Sequence, residues 1–184
     1  VIRYVERLEQ ALAARGFHRR LYIMQSTGGS LTTGVVRKIP VQIIESGPAA
    51  GVLAAAHISR LTNNDKVISF DMGGTTAKAG LIEGHEPRNV SRFQAGEWLI
   101  GVPSLDLVEI GSGGGSIAWV DESGMLKVGP QSAGAEPGPA CYPKGGAAPT
   151  VTDADVVLGW LNPDFFLGGR IKLNLEAAKR AIQS

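Results

Sequence analysis

One stretch constrains the chain more than any other: Lys66-Val-Ile-Ser-Phe-Asp71-Met-Gly-Gly-Thr-Thr-Ala-Lys-Ala-Gly-Leu-Ile82. Val67, Ile68 and Phe70 predict a buried strand that Asp71 closes. Gly73 and Gly74 predict a tight turn, Thr75 and Thr76 place hydroxyls after it, and Ala79 to Ile82 predicts the returning strand. Such a hairpin suits a polyphosphate. Glycines let backbone N–H groups approach anionic oxygens closely, because no Cβ intervenes. A carboxylate at the strand end can hold Mg²⁺ directly or through water. Gly-Gly between two apolar runs is also an ordinary hairpin turn. A plain hairpin, however, requires neither an Asp directly after its strand nor two Thr directly after its glycines.

The other glycines extend this reading. There are 25 in 184 residues, and they cluster at 28–34, 47–51, 73–74, 111–115, 124–146 and 168–169. Clustering at strand ends points to backbone-lined loops around a ligand rather than to a flexible linker. Ile110-Gly-Ser-Gly-Gly-Gly-Ser-Ile117 is the second such loop. Three consecutive glycines cost backbone entropy, so a close ligand or backbone approach is the expected reason for them. The loop lacks both the Lys-Ser/Thr ending of a Walker loop and the G-x-G-x-x-G spacing of a dinucleotide fingerprint.

The net charge of +1 gives no bulk electrostatic argument for nucleic acid or membrane. No apolar run approaches the roughly 20 residues a spanning helix needs. One cysteine excludes an internal disulfide and fits a reducing, cytoplasmic compartment. No signal peptide is visible, since Val1 to Arg15 carries charges throughout. A chain that starts on Val and enters a helix at once reads as a fragment of a longer polypeptide.

Residues 1–15 predict an amphipathic helix with Gly16 as its C-terminal cap. Leu21–Met24 predicts a strand ending in a Gly/Ser/Thr loop, which fits a ligand-side loop or a plain strand-to-helix turn. Val41–Ile44 predicts another strand, followed by an Ala/Gly-rich helix from Ser46 or Gly47. Its small residues fit core packing or a moving domain interface. Arg88–Phe93, Trp98–Val102, Leu105–Ile110, Ile117–Val120 and Met125–Val128 are extended candidates, with Asp121–Gly124 as a hairpin turn. Residues 129–150 form a long Gly/Pro/Ala loop, expected to be ordered and functional. Cys141 lies within it. His18, His57 and His85 carry no local signature of a catalytic partner, which favours a structural cysteine, and no His/Cys spacing supports zinc. Thr152 or Asp153 is the expected N-cap of a helix containing Val156, Val157, Leu158 and Leu161. Asp155, a second carboxylate, leaves room for a metal or substrate role. Asn174 is expected to cap a final helix with Leu175, Ala178 and Ile182 on one side.

Several stretches together resemble the hydantoinase A / 5-oxoprolinase / acetone carboxylase family. They are Gln25-Ser-Thr-Gly-Gly, Glu45-Ser-Gly-Pro-Ala-Ala-Gly-Val52, Phe70-Asp-Met-Gly-Gly-Thr75, Ile110-Gly-Ser-Gly-Gly-Gly-Ser-Ile-Ala-Trp119, Val128 to Tyr142, and Pro149-Thr-Val-Thr-Asp-Ala-Asp155. They occur in the family's order and cover most of residues 20–170.

The resemblance implies an α/β fold of the ribonuclease H-like kind, as in actin, sugar kinases and heat-shock-protein ATPases, here as a partial lobe. Residues 1–62 would be the end of a first lobe with an interlobe connecting helix, and residues 63–184 a second lobe. The first Asp-x-Gly-Gly-Thr loop of the family is absent, so a missing N-terminal lobe of the same polypeptide is implied as a partner. A hydantoinase B-type subunit or domain and a small-molecule substrate are implied as well. ATP and Mg²⁺ are the implied cofactors. By the resemblance Asp71 would hold Mg²⁺ or orient water. Gly73, Gly74, Thr75 and Thr76 would cradle phosphate, and Gly113, Gly114, Gly115 and Ser116 would lie against nucleotide or substrate. Asp153 and Asp155 are further catalytic candidates. The implied activity is ATP-dependent opening of a cyclic amide after phosphorylation of its oxygen. A ketone carboxylase subunit of the same family and a non-catalytic nucleotide-binding module are the alternatives. Family members often carry Thr-Ser-Thr-Asp after the two glycines, whereas this chain has Thr75-Thr-Ala-Lys78, which leaves Lys78 to meet a phosphate or to point to solvent.

Overall fold

The computed structural model describes every residue from Val1 to Ser184. The chain divides into two compact units, Val1–Asp71 with Ala79–Val108, and Met72–Lys78 with Glu109–Ser184. No helix is long and apolar enough to cross a membrane.

The first unit opens with α1 (Ile2–Ala14). Gly16, at φ +85°, makes the left-handed turn that ends it and donates its N–H to Ala13 O. The expected strand follows as β1 (Tyr22–Met24) and pairs antiparallel with β2 (Ser30–Thr32), so the Gln25–Gly29 loop closes a hairpin. The short helix α2 (Thr33–Lys38) comes next. Val41–Ile44 is not the expected strand: Pro40–Ile43 is a 3₁₀ turn. Pro40 sits at its first position, where a fixed φ suits helix entry and the missing N–H forfeits no bond. Helix α3 (Ser46–Thr62) buries a stripe of Ala49, Val52, Ala56 and Ser59, and stops where Asn63 turns left-handed at φ 53°.

Strands β3 (Lys66–Met72), β4 (Ala77–Glu83), β5 (Glu86–Pro87), β6 (Asn89–Val90), β7 (Phe93–Ala95), β8 (Trp98–Ile100), β9 (Ser104–Leu105) and β10 (Leu107–Ile110) follow. The main sheet runs β10-β4-β3, with β5 paired to β4, while β6 pairs with β9 and β7 with β8. The core of this unit is Ala49, Val52, Ala56, Ile82 and Leu105, with Val67 and Leu107 packed on it. The expectation of a fully buried β3 is corrected here. Strand side chains alternate, and the inward set is Val67 and Ser69, leaving Ile68 70% and Phe70 60% exposed. Ser69 takes an inward place because its Oγ donates to Gly80 O at 3.2 Å and accepts from Gly80 N at 3.1 Å. Gly80 has a packing reason of its own. A Cβ there would come within 2.5 Å of Val52 Cγ2 and 3.0 Å of Ser69 Oγ.

The second unit contains the 73–76 turn, β11 (Ser116–Val120), β12 (Leu126–Ser132), α4 (Val151–Val157) and α5 (Leu175–Gln183). β11 and β12 form the expected hairpin, whose turn is held by Asp121 Oδ1 accepting from Ser123 N and Met125 N. Cys141, Val156, Leu173 and Ala178 form its core, with Tyr142, Leu161 and Phe166 against it. The N-cap of α4 is Thr150, not Thr152 or Asp153, and it forms a reciprocal capping box with Asp153. Asn174 caps α5 as expected, its Oδ1 accepting from Ala177 N at 2.9 Å. Ala181 rather than Ile182 is buried on that helix, and Ile182 is half exposed.

The Gly80 contact is testable. Gly80→Ala is expected to lower unfolding stability by about 1–3 kcal/mol, the usual cost of overpacking. Gly84→Ala would be a misleading control because Gly84 has φ +58°; Gly51→Ala, which meets no neighbouring atom, should leave the denaturation midpoint unchanged or raised.

Candidate functional site

The candidate site lies within the second unit and begins at the turn after β3. Gly73 N donates to Thr76 O at 2.8 Å, which closes the turn. The carbonyls of Gly73 and Gly74 accept from Gly114 N at 2.9 Å and Gly115 N at 2.7 Å. The amides of Gly74 and Thr75 have no acceptor in the fold, and neither the Thr75 nor the Thr76 hydroxyl makes a hydrogen bond. Uncommitted amides at a turn tip, with hydroxyls beside them, are donors of the kind an anion takes.

The second Gly-rich loop has a different task. Its amides are spent on protein: Gly113 N donates to Ser116 Oγ, Gly114 N to Gly73 O and Gly115 N to Gly74 O. Gly113, Gly114, Gly115 and Ser116 therefore serve first as a seat for the turn, although Gly114 and Gly115 also line the cavity beside it. The seat requires glycine. A Cβ on Gly113 would lie 2.6 Å from Thr75 N and 2.7 Å from Gly73 O, both of them backbone atoms. The seat is held from behind by α4, since Thr152 N and Thr152 Oγ1 both donate to Gly114 O at 2.8 Å. From the loop after β12, Ala133 N donates to Gly115 O at 2.8 Å.

The two aspartates of Thr150-Val-Thr-Asp-Ala-Asp155 have separate fates. Asp153 is fully buried. Its carboxylate accepts from Ala140 N at 3.1 Å, Cys141 N at 2.7 Å, Thr150 N at 2.9 Å and Thr150 Oγ1 at 2.8 Å. With these protein donors around it, Asp153 anchors the 139–150 loop and is not presented to a ligand. Asp155 is half-buried, lines the cavity, and its carboxylate has no protein partner. Burial pushes its carboxyl above the usual carboxylate range.

The cavity holds about 600 Å³, within the range of small-molecule sites. Gly73, Gly74, Thr75, Gly114, Gly115, Gly134 and Ala135 are among the residues that line it, as are Tyr142, Asp155, Leu161 and Phe166. Asp71 is exposed near the end of β3, two residues before Gly73 in the chain. Lys78 is paired with Glu109, Nζ to Oε2 at 3.6 Å. Tyr142, Leu161 and Phe166 escaped the sequence reading. They are ordinary core residues in one dimension, and only the long 129–150 loop hinted that this region forms a site.

Cys141 is fully buried. Burial and the neighbouring Asp153 carboxylate push its thiol up to about 12 from an ordinary 9.0, the reverse of what a nucleophile needs.

The chain matches the hydantoinase/oxoprolinase family over residues 1–184 and belongs to that family. It is 43% identical to the caprolactamase alpha subunit of Pseudomonas jessenii, covering 99% of this chain and 26% of that protein. It is 42% identical to the acetophenone carboxylase gamma subunit of Aromatoleum aromaticum, covering 94% of this chain and 24% of that one. Among solved structures it resembles nucleotide-free acetone carboxylase, with a TM-score of 0.78 at 29% identity over 97% of this chain and 25% of that chain. The ATP-dependent caprolactamase of Pseudomonas jessenii matches with a TM-score of 0.73 at 42% identity, over 99% of this chain and 26% of that chain. The chain thus spans about a quarter of the length of these relatives. The family contains both amide hydrolases and ketone carboxylases.

Two predictions follow from the buried carboxylate and its neighbour. Asp153→Asn places an amide donor among N–H groups, and each buried donor left unsatisfied costs ~1–3 kcal/mol. The variant should show a lower melting temperature, with faster amide exchange concentrated at Ala140 and Cys141. The native Cys141 thiol should resist alkylation at pH 8 and react fully in denaturant. Its folded pKa is raised, so its contribution to stability is whole below pH 9.0 and is lost as pH climbs toward about 12. A Cys141→Ala variant should flatten that alkaline decline.

Proposed function

We propose that this chain is the phosphate-binding part of an ATP-dependent enzyme that activates an amide or carbonyl oxygen by phosphorylation. The observation that carries the reading is the Gly73–Thr76 turn, whose Gly74 and Thr75 amides and two threonine hydroxyls have no protein partner. Backbone donors of this kind suit a phosphoryl group, whose transfer is catalysed mainly by positioning and by neutralising charge. In the same reading the fold is a lobe of the ribonuclease H-like, actin/sugar-kinase type. Residues 1–62 would carry the end of a first lobe and a connecting helix, and residues 63–184 the second.

The residues present fit a polyphosphate, because a turn with uncommitted amides opens on a cavity of sufficient size. Mg²⁺ commonly takes one or two carboxylates, with phosphate oxygens and water for the rest. Asp71 is the residue assigned to it, or to a water it orients, and the ion would supply charge neutralisation on the phosphates. Gly73 to Thr76 hold the phosphate, while Gly113 to Ser116 hold the turn in place. Lys78 pairs with Glu109 and steadies the returning strand.

Cyclic-amide opening is the favoured reaction, supported by 43% identity to a caprolactamase alpha subunit and 38% identity to the 5-oxoprolinase of Saccharomyces cerevisiae. Transfer of the terminal phosphoryl group of ATP to the amide oxygen, with ADP leaving, would turn a poor electrophile into a good one; water would add to the carbon, the C–N bond would break with the nitrogen taking a proton, and a second water would release phosphate from the resulting acyl phosphate. A second reading, ketone carboxylation, is supported by the similarity to acetophenone carboxylase and acetone carboxylase. The partners in either case are the remainder of a longer polypeptide and a hydantoinase B-type subunit or domain.

The test uses the full-length protein with its copurifying partner. Lactams and hydantoins are offered with ATP, and ADP release is measured against ring opening. Coupled release of both is the expected result, and ADP release that requires a ketone and bicarbonate would transfer the assignment to the second reading. Asp71→Ala should lower turnover by about 10²–10³-fold, the scale of removing one preorganised electrostatic contact. Gly74→Val should weaken nucleotide binding without unfolding, since a Cβ at Gly74 meets no protein atom. Unchanged turnover and binding in both variants would defeat the proposal.

A further inference from the structure

The main sheet of the first unit is covered on one face and bare on the other. Val67 on β3, Ile82 on β4 and Leu107 on β10 pack with the α3 residues Val52 and Ala56. Strand side chains alternate, so their chain neighbours Ile68, Phe70, Leu81 and Val108 project from the opposite face. These four are 70%, 60%, 40% and 62% exposed. Large apolar side chains on three adjacent strands make a contiguous patch, and such a patch marks a contact surface.

Strand β3 carries a second mark. It ends the order β10-β4-β3, so one of its edges has no strand beside it. Exposed edges are normally blunted by short length, proline or charge. β3 has seven residues, and its middle, Val67-Ile-Ser-Phe70, has neither proline nor charge. That composition suits the interior of a sheet, where both faces are covered.

A second copy pairing antiparallel through β3 about a two-fold axis would fill the edge. It would also put both apolar faces on the same side of one wider sheet, doubling the bare patch. A strand joined to a helix fills the edge and covers the face together. The chain spans about a quarter of the length of its relatives, so a polypeptide of their length holds ample further sequence for such a segment. We propose that β3 is an interior strand of the whole protein: a strand from the remainder of the same polypeptide bonds along its free edge, and a helix joined to that strand lays an apolar stripe over Ile68, Phe70, Leu81 and Val108. This rests on the reading above that the chain is part of a longer polypeptide, and it is independent of what the Gly73–Thr76 turn binds.

The test is amide hydrogen exchange at single-residue resolution on the full-length polypeptide, purified by itself and measured at two concentrations. An edge strand protects alternate amides, those bonded to its one neighbour, whereas an interior strand protects them all. Ile68 to Asp71 are therefore expected to exchange slowly without alternation, equally at both concentrations. Val108→Cys, a substitution of similar volume, reports on the face. The folded protein should take up no maleimide at residue 108, and the denatured protein should label fully. Alternating fast and slow amides along β3 would overturn the pairing, and free labelling at residue 108 would overturn the covering helix; either result sinks the proposal while the longer polypeptide stands. Protection that is lost on dilution, as a dimer dissociates, would give the surface to a second copy. Protection that appears only on adding a separate subunit would give it to another chain, and both of these results also overturn the proposal. If Val108→Cys fails to fold, the exchange pattern of the wild type decides.

Discussion

The candidate site depends on backbone lying directly on backbone. Gly114 and Gly115 donate to the carbonyls of Gly73 and Gly74, and this contact fixes the turn through its carbonyls, leaving the Gly74 and Thr75 amides uncommitted. A side chain at Gly113 would force the two segments apart, because the atoms it would strike are main-chain atoms that cannot rotate away. The donors that hold the seat then come from two further places. Thr152 bonds Gly114 O from the first turn of α4, and Ala133 bonds Gly115 O from the loop after β12. Ordered amides are what a phosphate site needs, since donors that are already aimed need no reorganisation when charge arrives. The cost of ordering so many glycines is met by hydrogen bonds between the loops themselves.

Asp153 extends this order to the long loop. Its carboxylate gathers Ala140 N, Cys141 N and the cap residue Thr150, joining the loop to the start of the helix that braces the seat. A loop of 129–150 with little regular structure is uncommon in a compact unit. It holds here because one buried acceptor satisfies several of its amides at once. The raised Cys141 thiol is a by-product of the same arrangement, a neutral group in an apolar core beside a negative one.

Much of this was legible in the sequence where the signal was local. The glycine turn after β3, the β11–β12 hairpin, the Gly16 and Asn174 caps and the start of α3 at Ser46 follow from propensity and turn chemistry. What failed did so for specific reasons. Val41–Ile44 read as extended from its β-branched residues, but Pro40 began a 3₁₀ turn. Ile68 and Phe70 read as buried because they are large and apolar. Strand alternation could not tell which side α3 would cover until Ser69 was seen bonded to Gly80. The second glycine loop left ligand approach and backbone approach both open, because the two leave the same mark in one dimension, and in the structure Gly114 and Gly115 bond the turn and also line the cavity.

The two aspartates of the Thr150–Asp155 segment show how such a mark can be read further. Successive helix positions are about 100° apart, so residues two apart project roughly 200° from each other, onto opposite faces. Once the N-cap is placed at Thr150, Asp153 becomes the third helical position, where a carboxylate reaches back to the cap. Its inward burial then follows, and Asp155 must turn toward the other side. Placing the cap at Thr152 or Asp153 destroys that distinction and leaves both carboxylates as equal candidates. The cavity wall of Tyr142, Leu161 and Phe166 comes from segments outside the helix, so no local pattern could reveal what Asp155 faces. A capping box thus does more than start a helix in this chain: it commits one of two near-identical carboxylates to the fold and leaves the other without a protein partner.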